Sequence, residues 1–308
     1  MELTGPRFVR EVRQPMSTAR MLAAVLPQAA SKRQGSIRES FVPGPMIVRQ
    51  AGLRLEPAHI DAYRQVCAYE AQPGCVPLPY PEMHFTPLIA EAAVSAQFPL
   101  SPLGLIHMGQ RVEVLEPLEP GDEVDATTEL RELRETSRGY ELDFSMTLEQ
   151  RGRQVWTGLA TLLSRAVATR SGKKRKHGAA AAGSASTPGP RSLQLAVPGN
   201  TGLRYASVSG DWNPHHLWWF TARPLGYRRP IAHGMWTFAR VLSEVLEGVA
   251  DDVRLVVTTA FKRPLLMPSQ IRIEAPRLAS RAPEVRFAAY EAKSGAPHLI
   301  GAAAYVES

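Results

Sequence analysis

The chain has 308 residues, 44% hydrophobic and 21% charged, which suits a folded protein of two compact domains or one large one and excludes a disordered chain. Its formal net charge is +7, but part of that excess sits in one run, RSGKKRKHG at residues 170–178, so it says little about the folded surface. No apolar run reaches the roughly 18 to 20 residues needed to span a membrane, and Cys67 and Cys75 fit neither a metal spacing nor a disulfide framework, so the cytoplasm is the expected compartment.

Residues 1–40 read as an N-terminal extension. Within it, MSTARMLAAVLPQAA (16–30) reads as a short helix packing on the body; Arg20 interrupts its apolar patch and Pro27 ends it, which fits a targeting peptide less well. Residues 41–169 follow as a first domain, with a helix near 87–97 and strands at 106–114, 123–133, 140–150 and 153–164. Residues 170–191 are basic, then rich in Ala, Gly and Ser, then in Pro and Gly; lacking an apolar period, they read as a flexible linker. The lysines there are not interleaved with aromatics, so no nucleic-acid partner is expected, and a solvated charge run is the plain reading beside attraction of an acidic carrier.

Residues 192–308 form the second domain. Residues 205–211 feed a turn, and Asn213 and Pro214 read as the N-cap and first position of a helix. A second helix, 232–247, carries an apolar stripe of Met235, Phe238, Ala239, Leu242, Val245 and Leu246, and Gly248 is placed to end it. Strands follow at 253–261, 270–276, 285–292 and 299–306. One central helix followed by long antiparallel strands is an α+β plan in which the sheet wraps the helix.

The two domains repeat each other. Gly152, Gly158 and Ala160 match Gly295, Gly301 and Ala303; VLEPLEPGDEV (114–124) matches FKRPLLMPSQI (261–271); and Tyr63 and Val66 match Tyr205 and Val208. Three matches in one order at nearly constant offset indicate a duplicated domain.

The stretch YASVSGDWNPHH (205–216) followed by IAHGM (231–235) resembles the signature of the MaoC-like hydratases, the (R)-specific enoyl-thioester hydratases and 3-hydroxyacyl-thioester dehydratases. PLPYPEMHF (77–85) and LGLIHMGQRVEVLEPLEPGDEV (103–124) extend the resemblance over nearly the whole chain, to the double hot-dog subgroup that includes actinobacterial fatty-acid dehydratases. The resemblance implies a double hot-dog fold. It makes Asp211 and His216 the catalytic pair, Gly234 the donor of a backbone N–H to the thioester carbonyl, and Ser209 and Asn213 the residues that shape the turn. The chain departs from the family at His215, where an aliphatic residue is usual; on a helix it would point about 100° away from His216 and lie outside the site.

Removing water from a 3-hydroxyacyl thioester requires two proton-handling groups and a stabiliser for the enolate. Asp211 before a helix and His216 in its first turn meet the first need, with the helix dipole favouring a carboxylate and a neutral imidazole. Gly234 at the start of the apolar helix meets the second. His233 reads as a structural hydrogen-bonding residue, and Trp218, Trp219 and Phe220 as core or domain-interface residues. A metal held by His215, His216 and His233 is not expected, because no further His or carboxylate completes a ligand spacing, and no cofactor is expected. In the first domain Tyr69 and Gly74 stand where Asp211 and His216 stand in the second, so that domain lacks the chemistry and can widen the acyl tunnel instead.

The expected activity is reversible hydration of trans-2-enoyl thioesters of coenzyme A or acyl carrier protein in fatty-acid metabolism. One chain forms a pseudo-dimer, with room for a further homodimer. A hot-dog thioesterase and a non-catalytic acyl-thioester-binding subunit are the alternatives.

Overall fold

In the computed structural model the described residues are 2–16, 20–21, 23–24, 36–37, 41–102, 104–165, 191–278 and 284–306. The expected linker at 170–191 lies outside them except for Arg191, as does most of the expected helix at 16–30.

Strand β4 (Glu123–Thr136) shows how the sheet is specified: Val124, Ala126, Thr128 and Leu130 alternate inward while their neighbours face out. The first half also has β2 (Met46–Arg54), β3 (Leu105–Val114), β5 (Gly139–Gln150) and β6 (Arg153–Arg165). The second half has β7 (Ser192–Val197), β8 (Leu255–Phe261), β9 (Ser269–Glu274), β10 (Glu284–Glu291) and β11 (Pro297–Tyr305). All join one eleven-stranded sheet, with order β1-β2-β4-β5-β6-β3-β8-β11-β10-β9-β7, where β1 is Phe8–Val12. Apart from β1, the order reads the same from either end: β2, β4, β5, β6, β3 mirror β7, β9, β10, β11, β8. The expected duplication is therefore visible in the topology. Gly152 and Gly295 both take positive φ in the turns before β6 and β11, and Gly158 and Gly301 lie within those strands.

The halves meet where β3 pairs antiparallel with β8, Val112 opposite Val257 and Val114 opposite Leu255. Each half wraps a central helix: α2 (Glu82–Ala93) in the first and α4 (Gly234–Val245) in the second. Met235, Phe238, Ala239, Leu242 and Val245 are buried on α4, as its period predicts. Two shorter helices, α1 (Pro57–Cys67) and α3 (Thr201–Ser209), pack together across the interface. There the His59 Nε2–H donates to the Val208 carbonyl at 2.8 Å, and the Trp236 Nε1–H to the Val66 carbonyl at 3.1 Å. The molecule is an α+β double hot-dog. No helix among the described residues is long and apolar enough to cross a membrane.

Candidate active site

Helix α3 ends at Gly210, whose φ of +70° turns the chain so that Asp211 leaves at an angle. The turn is held locally. The Asp211 N–H donates to Ser209 Oγ at 3.2 Å, and Asp211 Oδ1 accepts the Asn213 N–H at 3.1 Å. Asn213 and Pro214 then open a single 3-10 turn, Pro214–His216, rather than the expected helix. One such turn has too few aligned peptides for a useful dipole, so the neutrality of His216 needs another cause.

That cause is burial. His216 is 7% exposed, and removal from water holds its pKa well below the usual value; His233 adds to the effect and Asp211 opposes it. Its ring is fixed through Nδ1, whose hydrogen goes to the Ile231 carbonyl at 2.8 Å. The Ile231 N–H in turn donates to the His215 carbonyl at 3.0 Å, so one residue clamps both histidines. With the hydrogen on Nδ1, the lone pair of Nε2 faces Asp211 Oδ2 at 3.9 Å. Two acceptors that far apart do not bond to each other. A water or substrate hydroxyl about 2.8 Å from each fits between them.

Helix α3 also seats this turn by close contact. A Cβ on Gly202 would lie 1.9 Å from the His216 carbonyl oxygen, so only glycine lets the histidine backbone rest there. Gly234 is the first residue of α4, where its N–H has no acceptor within the helix. A Cβ there would meet the Phe261 ring at 2.9 Å.

The His233 Nε2–H donates to the Asp211 backbone carbonyl at 2.9 Å. Its ring stacks on His216 with centroids 3.6 Å apart, its Nδ1 is buried without a hydrogen-bond partner among the described residues, and burial lowers its pKa to about 3. Two other expectations fail. His215 does not lie clear of the site, because the tight 3-10 turn brings its ring to 4.0 Å from that of His216. Trp218, Trp219 and Phe220 are not core residues but are exposed by 43%, 58% and 56%, on and just before a short helical turn, Trp219–Ala222. The reading of the metal-ligand spacing also needs correction. Asp211 joins His216 and His233 so that one ligating atom from each lies within 4.8 Å of the others. A carboxylate thus does complete a three-residue set that could hold a metal ion.

Sequence reasoning missed what the first half contributes. Glu82, the first residue of α2, stands where Gly234 stands on α4, and it is 6% exposed with no ion-pair partner among the described residues. Burial first, then the charge of Asp211, pushes its carboxyl up to about 8. His107 of β3 packs its ring 4.9 Å from Phe261, and burial lowers it to about 4. Where the second half has its pair, the first has Tyr69 after the left-handed cap Ala68. Arg64 fills that turn, donating to the carbonyls of Tyr69 and Ala71 at 3.1 and 2.9 Å, while the Gly74 N–H donates to Asp251 Oδ2 at 3.1 Å.

Residues 187–287 match the MaoC like domain. The chain is 30% identical over 226 residues to 3-hydroxyacyl-thioester dehydratase X of Mycobacterium tuberculosis, covering 70% of this chain and 75% of that one. The crystal structure of HtdX of M. tuberculosis superposes with a TM-score of 0.70 at 24% identity, over 84% of this chain and all of that one. A second M. tuberculosis protein, described as having a double hotdog fold, superposes with a TM-score of 0.51 at 13% identity over 88% of this chain and 99% of its own; at that identity the likeness concerns the fold alone.

Proposed function

The chain belongs to the MaoC-like dehydratase family, and from that membership we propose that it is a hydro-lyase interconverting (R)-3-hydroxyacyl and trans-2-enoyl thioesters in fatty-acid metabolism. The observation that carries this reading is the Asp211 carboxylate and the neutral His216 Nε2, 3.9 Å apart and both free to accept a hydrogen. In hydration, a water held between them loses a proton to the pair as its oxygen attacks carbon 3. The pair returns that proton to carbon 2, so the elements of water are added and nothing else is consumed. The Gly234 N–H stabilises the enolate oxygen formed in between. Ser209 Oγ accepts the Asp211 backbone N–H and so holds the turn, the Asn213 N–H holds the carboxylate, and Ile231 fixes the imidazole tautomer.

Residues 41–169 act as a non-catalytic hot-dog domain and 192–308 as the catalytic one. The acyl group is carried by coenzyme A or an acyl carrier protein, and the enzyme works in the cytoplasm. Incubating the purified chain with a crotonyl thioester tests the reading. Loss of the enoyl absorbance without release of free thiol is the expected result. Free thiol would make the protein a thioesterase, and binding without either change would make it a carrier-binding subunit.

A further inference from the structure

Resting on that functional reading, we propose that the face formed by residues 212–230 docks an acidic acyl carrier protein that delivers the thioester to Asp211 and His216. Eight large hydrophobic side chains are exposed among the described residues, and five lie on this segment: Trp212, Trp218, Trp219, Phe220 and Leu225. Single exposed apolar residues are ordinary, but such a concentration marks an interaction surface. The rings are ordered against one another. Trp218 and Phe220 stack at 5.8 Å with planes 8° apart, and Trp219 meets Phe220 edge-on at 6.0 Å. Thr221 Oγ1 ties this turn to the Pro214 carbonyl, so the aromatic face is fixed to the turn that carries His216.

The charge carried by the segment itself has one sign. Between Asp211 and Glu244 the chain has no acidic residue. Arg223, Arg228 and Arg229 are exposed, and none has an ion-pair partner among the described residues. Lys262 and Arg263, which precede Leu266 in the chain, are exposed too, and Leu266 bridges to Ile231. Aromatic and arginine side chains together are the usual anchors of a protein interface. Unpaired arginines around them select an acidic partner and steer it in. A second copy of this chain meets the face poorly, because two-fold pairing would set arginine against arginine. Coenzyme A offers one flat base and its phosphates, too little surface to cover rings spread from Trp212 to Leu225. The segment also lies between Asp211 and Gly234 in the chain, so what settles on it settles at the rim of the site.

The test uses the full chain and a bacterial holo-acyl carrier protein, with binding read by biolayer interferometry. Binding should weaken as salt rises. The double variants Arg223→Glu/Arg228→Glu and Trp219→Ser/Phe220→Ser should each weaken binding at least tenfold and raise KM for the crotonyl carrier protein to match, with kcat unchanged. Turnover of crotonyl-N-acetylcysteamine, which has no carrier, should stay within twofold, and that of crotonyl-coenzyme A within about threefold; circular dichroism checks the fold. The proposal is overturned if the parent chain does not bind the carrier, if the variants bind it normally, or if they lose crotonyl-coenzyme A and carrier substrate equally. It is also overturned if the face captures anionic phosphatidylglycerol vesicles instead, or if the variants merely abolish a homodimer. Carrier binding that the variants destroy, in a chain that hydrates no thioester, would sink the catalytic reading and leave the docking surface standing.

Discussion

Asp211 and His216 are five residues apart, and their spacing was legible because a turn capped by Gly210 and opened by Pro214 is built locally. Asp211→Asn and His216→Gln should each cut hydration at least about 10²-fold with the fold intact, the scale of a lost acid–base group. Kinetics beside a far-ultraviolet dichroism spectrum check this, and near-normal turnover in either variant would void the assignment. Glu82 was not legible, because nothing in PYPEMHF reveals that its carboxyl is buried beside an aspartate from the other half. Its folded pKa of about 8 lies above the ordinary 4.5, so the folded state holds this proton more tightly than the unfolded chain. That contribution is full below about pH 4.5 and is lost as pH rises through about 8. Glu82→Gln keeps the shape without the proton equilibrium. Its Tm should therefore gain on the parent's between those limits, by an amount on the order of several degrees. Melting curves at pH 5 and pH 9 with an unchanged gap would refute it.

At the scale of elements, the long strands and α4 follow from period alone: β5 and β6 fall within a residue of the expected ranges, and α4 within two. Helices α1 and α3 and strands β2 and β7 did not emerge from the sequence. The stretch TGLRYASVS mixes glycine, serine and β-branched residues that favour no helix, and α3 forms because Tyr205, Ala206 and Val208 are buried on it. For the same reason Gly202 was overlooked, since the carbonyl of His216 reaches it only through the tertiary fold. Gly202→Ala should displace that carbonyl, lower stability by roughly 1–3 kcal/mol, and lose much of the activity. Gly74→Ala is the matched control. Its Cβ would lie 2.6 Å from Asp251 Oδ2, the far end of a side chain away from the Asp211–His216 turn, so activity should survive. Equal losses in both variants would show that Gly202 does not position the histidine.

At the scale of the whole molecule, one half has Asp211 and His216 while the other has Arg64 bound to the carbonyls of its corresponding turn. Titration with a non-hydrolysable enoyl-thioester analogue should therefore give one equivalent per chain. If the half without that pair houses acyl carbons, each buried methylene contributes about 0.8 kcal/mol and efficiency should climb from four-carbon to longer substrates. Two equivalents, or a strict four-carbon preference, would defeat that account. The pairing of β3 with β8 has a consequence for the order in which the protein is made. During translation β3 leaves the ribosome well before β8, and at roughly 5–20 residues per second its open edge waits on the order of ten seconds or more. An unpaired edge strand is a template for the wrong neighbour. A chain stopped at residue 165 should accordingly self-associate through β3, as light scattering would reveal; a soluble monomer would mean that the first half shields its own edge until its twin arrives.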